Sequence, residues 1–177
     1  YALVPAPVQV DGRVQMKVRN LSKNELERLF GFQQHHLSTL SEHKVREMVG
    51  NAWLVDQAAY VLSPVASMRA EDWLGRRYRK DELPGAAGLV VWSFFTGTGA
   101  GEVALAEKLG LKIKHLFFCE KDKDAQGVVK AWCNMHNLGF SLYNNIQDIT
   151  RDVVKSKVRE TGMPHVVLGG PPCNNVS

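Results

Sequence analysis

The sequence contains no apolar run of about 18 residues or more, so nothing in it reads as a membrane-spanning helix. Its opening stretch, Tyr1 to Pro7, is uncharged and too short for a secretory signal, and the expectation is an intracellular protein. Cysteine is scarce: Cys119, Cys133 and Cys173 are odd in number and lack any CxxC spacing, which argues against a disulfide framework or a structural zinc site and predicts three free thiols. Internal repeats and low-complexity tracts are absent as well. A strong excess of one charge is lacking, with 22 Lys and Arg against 18 Asp and Glu. The net +4 is compatible with a polyanion partner and decides nothing alone.

What is there is globular composition: 45% hydrophobic and 23% charged residues in a chain of 177, enough for one packed domain. Residues 1–20 alternate loosely in valine around Asp11-Gly12 and predict a hairpin. Ser22 with Glu25 is a capping box that opens a helix ended by Gly31. A second helix is expected to begin near Thr39 to Ser41 and stop at Gly50, and a third to run from about Asp56 to Pro64. The stretch 65–88 is polar and basic, with Arg69, Arg76, Arg77, Arg79 and Lys80 interleaved with Trp73 and Tyr78. It reads as a solvated linker, with phosphate contact by Arg76 and Arg77 as the alternative.

From residue 89 the texture changes. Leu89 to Phe95 is a nearly continuous apolar run, as in a strand covered on both faces, and it is followed by a glycine-rich turn and a helix over 102–109. Strands at 115–119, 140–143 and 165–168 alternate with helices at 124–137 and 151–160. Such alternation predicts an α/β fold of the Rossmann-like kind, a mostly parallel sheet with helices on both faces and ligands at the carboxyl ends of its strands.

Two segments carry chemistry. Thr96-Gly97-Thr98-Gly99-Ala100-Gly101 lies between a strand and a helix, where glycines permit a tight turn and close approach to a ligand. Glu120 ends the next strand, about twenty residues on, where a carboxylate can accept from both hydroxyls of a ribose. Loop and acid together indicate a nucleoside cofactor. Phe94 and Phe95 either pack on an adenine or are core, and Asn145 either accepts from an adenine amino group or is an ordinary loop asparagine. The second segment, Gly169-Gly-Pro-Pro-Cys-Asn-Asn175, presents Cys173 at the same sheet edge on a stiff approach, as a nucleophilic thiol requires. Cys119 and Cys133 lack such a setting and are expected in the core.

Ser93 to Leu105 resembles the first motif of cytosine-5 DNA methyltransferases, and Gly169 to Asn175 resembles their nucleophile motif. Leu26-Glu-Arg-Leu-Phe-Gly-Phe32 and Gly50-Asn-Ala-Trp-Leu-Val55 look like the last two motifs of that family. Here those two precede the glycine loop, a circularly permuted order similar to that of the plant domains-rearranged methyltransferases. The resemblance implies S-adenosylmethionine as cofactor, with S-adenosylhomocysteine as product. By position it implies binding by Phe94, Thr96, Gly97, Thr98, Gly99 and Gly101, with Glu120 and Lys121 at the ribose. It further implies Asn145 and Ile146 at the adenine, Pro172 beside the nucleophile, and Asn51, Trp53 and Val55 at the methionine end. The family usually has aspartate where Asn145 stands, which puts that contact in question.

By the same resemblance Cys173 attacks C6 of a flipped cytosine, and Asn174 and Asn175 contact DNA. Residues 1–64 then hold the carboxyl-terminal-type motifs and 89–177 the cofactor half, joined by 65–88 into one catalytic domain. The implied partners are double-stranded DNA and a second copy or a methyltransferase-like protein, with no membrane and no metal. The implied setting is the nucleus, in de novo methylation and epigenetic silencing. The family's Glu-Asn-Val and Arg-x-Arg motifs have no counterpart here, so the expectation is a partial chain. The competing readings are a non-catalytic accessory protein, an RNA cytosine-5 methyltransferase, and an amino-methyltransferase, the last disfavoured by Cys173 where an aromatic residue should sit.

Overall fold

A computed structural model describes residues 3–67 and 88–170. The chain opens with a hairpin, β1 (Leu3–Val10) and β2 (Arg13–Asn20), paired antiparallel around Asp11 and Gly12, both at positive φ. The pairing is in register throughout, with Val10 opposite Arg13. Pro5 and Pro7 pair with Val18 and Met16, so one face is apolar, and Val14, Met16 and Val18 on it are exposed.

Helix α1 (Lys23–Phe30) begins at the capping box read from the sequence: the Ser22 hydroxyl accepts from the Glu25 N–H, and the Glu25 carboxylate accepts from the Ser22 N–H. Gly31, left-handed at φ 80°, ends it, a conformation glycine adopts without steric cost. Helix α2 (Glu42–Val49) is capped by Ser41. Helix α3 (Val55–Ser67) runs past Pro64, where the sequence predicted its end. The proline removes a bond to the Tyr60 carbonyl, and the Ser63 hydroxyl donates to that carbonyl at 2.8 Å instead.

The remainder alternates as the apolar patterning predicted. Strand β3 (Leu89–Phe94) leads through the glycine loop to α4 (Ala100–Val103), which continues as a π-helical turn over Ala104–Lys108. Then follow β4 (Ile113–Cys119), α5 (Lys123–Met135), β5 (Gly139–Tyr143), a 3-10 turn (Ile146–Asp148), α6 (Arg151–Thr161) and β6 (Val166–Gly169). The four strands form one parallel sheet in the order β5-β4-β3-β6. One face is covered by the main core, in which Val91, Leu116 and Phe118 pack with Leu105, Val128 and Trp132 and with the α1–α3 cluster. On the other face Val90, Trp92 and Phe117 meet Val154 and Val158 of α6. Helices on both faces of a parallel sheet make this an α/β fold of the Rossmann-like kind. The α4 and α5 crossovers step one way from β3, and the α6 crossover returns to β3's other side. Right-handed connections therefore place α6 on the opposite face.

Candidate functional site

That reversal makes the crevice between the carboxyl ends of β3 and β6 the topological switch point of the sheet, where α/β folds bind ligands. A cavity of about 60 Å³ lies there. From β3 and its loop come Phe94, Thr96, Gly97, Thr98 and Gly101, from the α2–α3 connection Asn51 and Trp53, and from the end of β6 Gly169, with Gly170 just after it. Three segments, about forty and about seventy residues apart along the chain, are thus brought to one site.

The loop's shape follows from its residues. Gly97 and Gly99 sit at φ 57° and 80°, and Phe95, at φ 59°, takes the same left-handed region without a glycine's freedom, a local strain at the mouth of the cavity. The Phe95 N–H donates to the Cys119 carbonyl at 2.8 Å, which holds the turn against β4. Glu120 braces it from the next strand end. One carboxylate oxygen accepts from the Gly97 N–H and the other from the Asp122 N–H, each at 2.8 Å. Each oxygen keeps a further lone pair for a ligand.

On the far wall the Trp53 indole lies against glycines. A Cβ on Gly101 would meet Leu168 Cδ1 at 2.9 Å and Trp53 Cζ3 at 3.5 Å, and one on Gly170 would meet Trp53 Cζ2 at 3.1 Å. A side chain at 101 would force the buried Leu168 methyl to shift and would fill the space beside Trp53. Behind the loop, His36 is buried with its Nε2 2.8 Å from the Thr98 carbonyl, stacked on Phe32. Burial holds the imidazole below its ordinary titration range, so it stays neutral. Beneath it, the buried Glu27 carboxylate accepts from the His35 and Leu37 N–H groups and fixes the α1–α2 connection.

Other residues singled out in the sequence do not line this cavity. Val55 is fully buried at the start of α3, and Gly99 caps α4. Lys121 is exposed beside Glu120. Asn145 caps the 3-10 turn after β5, accepting from the Gln147 N–H at 3.1 Å, and the exposed Ile146 follows it. Cys119 and Cys133 are buried free thiols, and burial with the nearby Glu102 charge pushes Cys133 up to about 12. Both belong to the core, as expected. Cys173, Pro172, Asn174, Asn175, Arg76 and Arg77 lie outside the described residues. Among the described residues there is no cluster of metal-ligating side chains and no helix long and apolar enough to cross a membrane.

Sequence reasoning passed over Glu102. It sits in the first turn of α4, is 1% exposed, and lines the cavity, yet its Oε1 has no hydrogen-bond partner among the described residues. Burial raises its carboxyl from 4.5 to about 7, against a hydrogen bond from the Ser93 hydroxyl. The available signal was an acid embedded in the apolar run Val103-Ala-Leu105, since glutamate is rarely buried without a partner.

No family model matches the chain. It is 29% identical over 162 residues to DNA (cytosine-5)-methyltransferase DRM2 of Oryza sativa subsp. japonica, which covers 91% of this chain and 24% of that protein. It is 30% identical over 165 residues to DRM2 of Arabidopsis thaliana and 29% identical over 168 residues to DRM1 of the same plant, with the same coverage. The chain spans about a quarter of the length of the curated relatives it matches. The motif resemblance is borne out: over 91% of its residues the chain is a homologue of plant domains-rearranged cytosine-5 DNA methyltransferases.

Proposed function

We propose that the chain carries the cofactor site and the nucleophile of a DNA (cytosine-5)-methyltransferase that uses S-adenosylmethionine. The observation that carries this reading is the switch-point crevice. The glycine loop forms one lip, and β6 with Gly170 after it, three residues from Cys173 in sequence, forms the other. The site also fits such a cofactor. It offers a glycine-lined cradle under Trp53, an orphaned buried carboxyl oxygen on Glu102, and lone pairs on Glu120 beside the loop. Phe94, Thr96, Gly97 and Trp53 would hold the group, and Glu120 would take its ribose. When bound, it supplies an electrophilic methyl.

The rest of the chemistry belongs to the protein and the DNA. The Cys173 thiolate adds to C6 of a cytosine turned out of the duplex, which makes C5 nucleophilic. C5 takes the methyl, a base removes the C5 proton, and expulsion of the thiolate restores the 5,6 double bond. In this reading the substrate is unmethylated duplex DNA in the nucleus.

The test is covalent trapping by the full-length protein on duplex DNA containing 5-fluorocytosine, whose C5 fluorine blocks the final elimination. An adduct that needs the cofactor and disappears in Cys173→Ser is expected. DNA binding without an adduct would mean an accessory protein, and an adduct on RNA alone would mean a different substrate.

A further inference from the structure

A glutamate in a protein interior is normally paired, because an unpartnered buried carboxyl oxygen forfeits the hydrogen bonds it would make in water. Glu102 breaks that rule where the chain has placed its cavity. Ser93 offers one hydroxyl, itself bonded by Thr96 Oγ1 at 3.3 Å, and Oε1 is left with nothing. An α4 start by itself would be served as well by a glutamate pointing to solvent. This one is turned inward, 1% exposed, into the space shared with Trp53 and Gly101.

An inward carboxylate and an indole around one small cavity suit a cation carrying N–H donors. The carboxylate supplies charge and acceptors, and the ring supplies its electron-rich face. About 60 Å³ has room for a few ligand atoms, so the part of a guest received beside Glu102 is small. We propose that Glu102 is the counter-charge for the ammonium group of the cofactor's amino-acid end, received in the cavity walled by Trp53. This rests on the reading of the crevice as an S-adenosylmethionine site and adds which side chain takes which end. The sulfonium is not the group addressed, because it has no hydrogen to donate to Oε1.

Ligand binding is then linked to a proton. A carboxyl half-protonated near neutrality must ionise to face an ammonium group, so the ligand's entry expels its proton to solvent. The neighbouring groups do not contribute. The Cys133 thiol on α5, pushed up to about 12, keeps its proton, the buried His36 behind Thr98 is neutral near pH 7, and Ser93, Thr98 and Trp53 do not titrate in this range.

The experiment is isothermal calorimetry on the full-length protein with three ligands: S-adenosylmethionine, S-adenosylhomocysteine, and 5′-deoxy-5′-methylthioadenosine, which lacks the amino-acid end. Titrations in two buffers of different ionisation enthalpy count the protons. Wild type should release roughly half a proton at pH 7 with the first two ligands and none with the third. Glu102→Gln should weaken the first two by about 10- to 100-fold and leave the third unchanged, with release abolished. Unchanged affinity for S-adenosylmethionine in Glu102→Gln overturns the assignment, and so does equal weakening of all three ligands, which a purely structural role would produce. Failure of wild type to bind any of the three would overturn the cofactor reading itself, a distinct outcome from a wild type that binds without proton release.

Discussion

Titrating the ligand-free protein against its Glu102→Gln variant tests the burial of that carboxyl apart from any ligand. In the folded protein the group titrates at about 7, against 4.5 when exposed. The folded state therefore holds more protons than the unfolded one between those values. Its stability is fully present below 4.5 and falls as pH rises through 7. At about 1.4 kcal/mol for each pH unit of displacement, the contribution lost by pH 8 is about 3 kcal/mol, an upper figure because partial water entry would soften it. For a chain of this size that corresponds to a melting temperature lower by roughly 6–12 °C.

Other groups titrate in the same window. The buried His36 has the opposite sign, since its depressed value makes stability fall as pH drops below 6.5. Such groups are common to both proteins and cancel in the difference. Urea denaturation of the two at half-unit steps from pH 4.5 to 8 should show Glu102→Gln gaining about 3 kcal/mol relative to wild type across the range. A difference flat within about 0.5 kcal/mol would refute the argument that Glu102 is held neutral by its surroundings.

Three further perturbations follow from contacts already described. Gly101→Ala drives a methyl to 2.9 Å from Leu168 Cδ1; it should cost about 1–3 kcal/mol by thermal melting and, in calorimetry, weaken S-adenosylmethionine by more than that stability loss accounts for. Glu120→Ala leaves the Gly97 and Asp122 N–H groups without their acceptor, with an expected loss of about 1–3 kcal/mol by denaturation and faster amide exchange at both residues. Glu27→Ala strips the acceptors from the His35 and Leu37 N–H groups and should cost about 2–4 kcal/mol, measured by urea denaturation, with the larger share from Leu37 because it is fully buried.

The apolar runs told their story well because burial is what they encode. Leu89 to Phe95 reads as a two-sided strand, and all but Phe95 is one; the strand ends predicted for β4 and β5 fall at Cys119 and Tyr143 as found. Local backbone devices were less visible. Nothing in Ala104–Lys108 announces a π-turn, which depends on a Leu109 N–H reaching back to the Ala104 carbonyl at 3.0 Å. Pro64 looked like a terminus because the sequence cannot show that Ser63 will occupy the carbonyl the proline abandons. In the site, the glycines and Glu120 were legible because their roles are tied to fixed spacing along the chain. Glu102 and His36 were not, since each acquires its meaning from what lies opposite in space: Trp53 for one and the Thr98 carbonyl for the other.

Glu120 joins more than the loop it braces. The Asp122 it holds is the cap of α5 and also receives Lys44 Nζ of α2 at 3.0 Å, while α2 leads directly into the segment carrying Asn51 and Trp53. A closed circuit thus runs from one lip of the crevice, through a strand end, a helix cap and a surface ion pair, back to the opposite lip. The two lips are therefore not independent walls. High salt, which weakens the partly exposed Lys44–Asp122 pair, should loosen the tie between the loop and the Trp53 wall without touching any residue that lines the crevice.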